Sequence, residues 1–189
     1  SMTDAIVTYR EFINSPASDA LAEKVDAYYN MGYAHLKKEE TEEAIKIFRI
    51  YLQSDPKNSE KKLDAYFRVA DGYYTNEKND LAIQFYSEAF KMNSSLNDKA
   101  LYYLAKSFGY NNQPLENIKN LTELVTKYKK SKYIMNATYD LGRAHVGQAN
   151  YDEALSIFKQ FIIDFPKSSL VIDARLSIAD LYYKKWDYS

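Results

Sequence analysis

The chain has no cysteine among its 189 residues, which excludes disulfides and thiol chemistry. Glycine and proline are sparse, 5 and 4, so few breaks interrupt regular structure. Neither sign of charge is in excess: 25 Lys plus Arg face 26 Asp plus Glu, a net charge of −1. That balance removes any general electrostatic attraction to nucleic acid or an anionic membrane, and shifts partner recognition toward shape and apolar contact. No apolar run approaches the ~20 residues of a membrane-spanning helix, and no signal peptide precedes the first helix. Ser1-Met2 reads as an expression scar, so a targeting segment upstream is compatible with this start.

Hydrophobic residues make up 46% and charged residues 27%, a foldable mixture long enough for a substantial core. Apolar residues recur three or four apart nearly everywhere and strand-like alternation is lacking, so the period predicts an all-α chain. Self-similarity then organises it. "YNMGYAH", "FRVADGY", "YYLAKSF", "YDLGRAH" and "LSIADLY" place a small residue at Gly32, Ala70, Ala105, Gly142 and Ala179, with separations of 38, 35, 37 and 37 residues. A second helix repeats as well: Ala44 and Phe48 precede Pro56, Ala82 and Tyr86 precede Ser94, and Ala154 and Phe158 precede Pro166, each Ala standing 12 residues before the turn position. One unit is therefore helix A, a short turn, helix B and a turn.

These residues resemble the tetratricopeptide signature: an aromatic, Leu-Gly, Tyr, then Ala, Phe and a closing Pro at fixed offsets. Tyr28, Met31, Gly32, His35, Ala44, Phe48 and Pro56 carry it, as do Leu141, Gly142, His145, Ala154, Phe158 and Pro166. The resemblance implies a right-handed α-solenoid of antiparallel helix pairs, about ten helices in all. The expected organisation is one superhelix over 1–189: a helix B half repeat at 3–16, repeats at 18–58, 59–96, 97–131 and 132–168, and a helix A half repeat at 169–189. Half units at both ends suggest a fragment of a longer array, with ends open to end-to-end self-association.

Physical reasoning gives the repeat its purpose, since one helical pair cannot bury its apolar face alone and stacked copies make a continuous core. Gly or Ala on helix A is expected to admit helix B closely, and the helix B aromatic to fill the space between adjacent units. Helix A is expected to enter near Ser18 or Ser59. The third unit departs from the pattern: Asn117 stands at the close-packing Ala position, Leu121 at the aromatic, and Pro114 opens helix B, so a local change of twist is expected there.

The family resemblance also implies a concave wall lined by helix A, with the fifth place of each unit pointing into it. Those residues are Tyr29, Phe67, Tyr102, Tyr139 and Leu176, and one turn later come Tyr33, Asp71, Lys106, Arg143 and Asp180. An aromatic ladder beside mixed charge reads as a groove for a peptide or partner helix, although tyrosines at helical spacing also pack between helices and expose only their hydroxyls. Family members that clamp a C-terminal carboxylate use Lys and Asn at the fifth and ninth places of the first unit; Tyr29 and Tyr33 stand there, against that specificity.

Other constellations carry less. His35 and His145 fill one slot of two different units and read as packing residues rather than a metal or catalytic pair. The acidic "EETEE" of residues 39–43 suits a turn and a helix start, and the basic "KYKKSK" of residues 127–132 a helix end. No Ser-His-Asp set, metal-ligand spacing or phosphate-cradling glycine loop occurs, so no catalytic, cofactor or metal residue is assigned and a protein without enzymatic activity is expected. The expected function is a protein–protein interaction scaffold, with glycan or peptidoglycan binding by the ladder, or a docking arm of an enzyme domain elsewhere, as alternatives. Residues 151–168 are also similar to tetratricopeptide modules of bacterial envelope proteins, of the outer-membrane assembly lipoprotein and cell-division coordinator types. That likeness implies a periplasmic or envelope-associated setting.

Overall fold

The structure is a computed structural model that describes residues 1–15 and 21–187; the expected entry at Ser18 lies outside them. Among the described residues there are ten α-helices and no strand. The chain divides into two compact units at Asn93/Ser94. The first contains α1 (Met2–Asn14), α2 (Leu21–Lys37), α3 (Thr41–Gln53), α4 (Ser59–Thr75) and α5 (Asn79–Lys91); the second contains α6 (Asn97–Tyr110), α7 (Pro114–Lys127), α8 (Ile134–Gly147), α9 (Tyr151–Asp164) and α10 (Val171–Asp187). Within each unit every helix packs on the next in chain order, which is the solenoid pattern of successive helix pairs.

Local chemistry sets the boundaries. Asn58 caps α4, its side-chain oxygen accepting from the Lys61 amide at 3.0 Å, so the cap is Asn58 and Ser59 is the first helical residue. Pro114 begins α7, where its missing N–H costs nothing. Each A-to-B turn is closed in one way. The amides of Glu40, Lys78, Gln113 and Asn150 donate to the carbonyls of His35, Tyr73, Phe108 and His145 at 2.9–3.0 Å. The residue before each donor, Glu39, Glu77, Asn112 or Ala149, has φ between 54° and 61°. This is the left-handed helix terminus usually given to glycine, adopted here four times without one.

The seam inside a helix pair is tight. A Cβ added at Gly32 would come 2.9 Å from the Phe48 ring, and one at Gly142 would come 2.7 Å from the Phe158 ring. The helix B aromatic therefore packs on the small residue of its own pair, and Phe158 also shares a buried cluster with Ala174 and Leu181 of the next helix A. The next pair is met by Ile45, whose Cδ1 would be 2.6 Å from a Cβ at Gly72. In the irregular α6–α7 pair, buried Leu121 replaces the aromatic, and the Asn117 amide donates to the Ala105 carbonyl at 2.7 Å. A polar side chain thus holds by a hydrogen bond the contact that alanine holds elsewhere by size.

Candidate partner-binding surface

The fifth-place residues are far from equally exposed. Phe67 is 3% and Tyr102 8% exposed, so both are core. Tyr29 is half-buried, edge-on to Phe48 and tilted on Tyr51 with centroids 5.9 and 5.3 Å apart, and half-buried Tyr139 lies 5.6 and 5.7 Å from Phe158 and Phe161. Only Leu176 is open, at 60%. The expected ladder is thus mainly part of the seam between helices A and B, because each of these residues lies three positions before the small residue and shares its face.

What reaches the surface in the first unit is a polar network joining α2 to α4. The Tyr29 hydroxyl donates to Asp64 Oδ2 at 3.0 Å, and the Tyr33 hydroxyl donates to the same oxygen. Arg68 Nε donates to the Tyr33 oxygen at 3.0 Å, while its Nη2 lies 3.1 Å from Asp64 Oδ1. The Tyr29 and Tyr33 rings meet edge to face at 5.1 Å, and Arg68 and Lys61 lie over Tyr33 and Tyr29 at 5.3 and 5.4 Å. Lys61 also pairs with Asp26 at 2.9 Å. Burial, the hydrogen bond with Tyr33 and the Asp64 charge push the Tyr29 hydroxyl well above the ordinary tyrosine range. Tyr33 is raised as well, by burial and by its bond to Asp64. Both phenols remain neutral donors, and their positions are fixed by two helices at once.

Asp71 is turned to its own pair: Tyr86 donates to its Oδ1 at 2.6 Å, and the Phe67 and Tyr86 rings are 6.3 Å apart. In the second unit Tyr102 donates to Asp140 Oδ2 at 3.4 Å, and Lys106 sits 3.9 Å from the same oxygen and 5.8 Å over the Tyr102 ring. Burial and then the Asp140 charge raise the Tyr102 hydroxyl. Tyr133 stacks on Tyr102 with centroids 4.9 Å apart and planes 18° apart, covering a ring face. Arg143 and Asp180 both line a cleft of about 280 Å³, together with Val146, Leu181 and Lys184.

The structure therefore brings together Tyr29 with Tyr33 and Tyr102 with Lys106, and sets Arg143 and Asp180 along one cleft; Phe67, Asp71 and Tyr139 turn inward and Leu176 stands apart. Sequence reasoning missed Asp64, Arg68 and Asp140. Their signal would be a carboxylate about one repeat downstream of a tyrosine, which no local pattern marks. His35 Nδ1 lies 2.7 Å from Glu40 Oε2, and His145 Nδ1 lies 3.5 Å from the Asn150 amide nitrogen, so each histidine meets the helix B start of its own pair. Lys38, then His35, holds the Glu40 carboxyl below its ordinary value. Among the described residues no helix is long and apolar enough to cross a membrane.

Tetratricopeptide-repeat family models match residues 25–58 and 136–168. These two stretches are tetratricopeptide repeats. Solved tetratricopeptide-type structures align with it over most of its length. YrrB, described as a tetratricopeptide-repeat protein with an unusual peptide-binding site, aligns at 20% identity and a TM-score of 0.67, covering 90% of this chain and 84% of its own. BtubC from P. vanneervenii aligns at 14% identity and a TM-score of 0.67, covering 99% and 84%. MamA from Desulfovibrio magneticus RS-1 aligns at 17% identity and a TM-score of 0.60, covering 89% and 100%. Among curated proteins none matches the chain. At these identities the likeness establishes the tetratricopeptide α-solenoid fold and nothing finer.

Proposed function

We propose that this tetratricopeptide-repeat protein is a non-catalytic scaffold whose α2–α4 wall binds an extended peptide or a helix of another protein. The observation that carries this reading is the Tyr29–Tyr33–Asp64–Arg68 network. Two aromatic rings are held in place by hydrogen bonds across two helices, so little side-chain freedom remains to be lost when a partner arrives. Arg68 and Lys61 flank the rings as donors for carbonyl or carboxylate groups of a ligand. The likeness to YrrB supports the choice of a peptide as ligand, and a net charge of −1 gives no support to nucleic acid. The glycan alternative loses a stacking platform, because Tyr133 already covers Tyr102.

Peptide display on the wild-type chain, repeated on Arg68→Ala and Tyr33→Phe, tests the reading. Enriched peptides should bind the variants at least tenfold more weakly, while Arg143→Ala in the other unit leaves their binding unchanged. Equal binding by wild type, Arg68→Ala and Tyr33→Phe would remove the α2–α4 wall as the site.

A further inference from the structure

Among the described residues, α10 has two apolar faces, one packed and one exposed. Ala174, Ile178 and Leu181 pack into the core formed with α9. On the opposite side Ile172 is 70%, Leu176 60% and Tyr183 72% exposed, with exposed Ala179 between them. These four fall on one stripe of the helix, at successive steps of four, three and four. The same stripe on α8 is Met135, Tyr139, Gly142 and Val146. There Met135, Tyr139 and Val146 pack on the core of α9, and Gly142 receives the Phe158 ring. The exposed stripe is thus a seat shaped for a helix of the α9 kind.

The chain carries one such helix with an open side. Met2, Ala5, Ile6, Tyr9, Phe12 and Ile13 of α1 repeat, at identical spacing, Tyr151, Ala154, Leu155, Phe158, Phe161 and Ile162 of α9. Ile6, Tyr9 and Ile13 pack against α2. Met2 and Phe12, the counterparts of Tyr151 and buried Phe161, remain 41% and 38% exposed. A Tyr against an Ala is also an accepted seam here, since α4 and α5 bury Ala70 and Tyr86 at the corresponding positions.

We infer that the exposed stripe of α10 binds α1 of a second copy of this chain, so that copies join head to tail. The interface is heterologous: the surface each copy gives differs from the one it receives. Sedimentation equilibrium at increasing concentration tests it on the whole chain. The wild-type mass should rise above 22.0 kDa with concentration, while Leu176→Glu alone and Phe12→Glu alone stay monomeric with unchanged helicity. An equimolar mixture of the two variants should form 1:1 dimers and stop, because each retains one intact surface. A wild type monomeric up to millimolar concentration overturns the inference and leaves the stripe to a different protein. Association of Phe12→Glu with itself, or a mixture that stays monomeric, overturns it too. Peptide binding to the α2–α4 wall is read in a separate assay, so either idea can fail alone.

Discussion

Tyr51 and Phe161 hold the same place in α3 and α9, both fully buried, and differ by one oxygen atom. The Tyr51 hydroxyl finds no hydrogen-bond partner among the described residues. Burial, with the Asp26 and Asp64 charges behind it, pushes this phenol up to about 12. An unsatisfied buried donor costs about 1–3 kcal/mol, whereas the phenyl ring alone fills the slot in the second unit at no such cost. Tyr51→Phe should therefore stabilise the chain by about 1 kcal/mol in urea unfolding. A loss of stability would mean that the hydroxyl has a partner, such as a buried water.

The two glycines of α8 should respond in opposite senses to the same change. Gly142→Ala puts a methyl group 2.7 Å from the buried Phe158 ring, and overpacking of this kind costs about 1–3 kcal/mol. At Gly147 the added carbon meets nothing within 4 Å, so Gly147→Ala should be neutral or gain about 0.5 kcal/mol from helix propensity. The α6–α7 pair already combines a buried Ala105 with a buried Leu121, so Phe158→Leu should recover part of the Gly142→Ala loss. Additive losses in that double variant would argue against the ring as the cause.

Much of the architecture could be read from residue spacing, because a repeated Gly or Ala beside a repeated aromatic describes a contact local to one helix pair. Gly32 with Phe48 and Gly142 with Phe158 are that contact. The candidate site was less legible. Tyr29, Phe67, Tyr102 and Tyr139 share the helix face of the small residue, and the same periodicity that singled them out turns them into the seam. Exposed and buried tyrosines look alike in one dimension, and the carboxylates that decide between them, Asp64 and Asp140, lie on a neighbouring helix. The turn geometry was hidden for another reason: Glu39, Glu77, Asn112 and Ala149 give no glycine signal for a left-handed backbone.

That backbone supplies a further prediction. Ala149 has φ of 57° and no side-chain hydrogen bond to offset it. A left-handed non-glycine residue costs about 1–2 kcal/mol, of which glycine's extra unfolded-state entropy returns roughly half. Ala149→Gly should raise stability by about 0.5 kcal/mol in urea unfolding, and Ala149→Val should lower it by more than that. The reverse order would show that the turn relaxes to another geometry.

Alkaline pH should ionise the tyrosines of the carboxylate bridges only as the fold itself gives way. Tyr29, Tyr33, Tyr51 and Tyr102 all have hydroxyls raised above the ordinary value of 10.0, chiefly by burial. In each the folded state holds its proton longer than the unfolded state. The chain's stability is therefore unaffected by these groups below pH 10, and falls as pH rises from there through the folded values. For Tyr51 that fall ends at about 12. Tyrosinate absorbance should accordingly show a late group of tyrosines that ionises only as helicity collapses. Tyr29→Phe and Tyr102→Phe should each remove one equivalent from the late group. A single reversible titration near pH 10 with full helicity would show that these hydroxyls are open to water, and the α2–α4 wall would lose the rigidity on which partner binding depends.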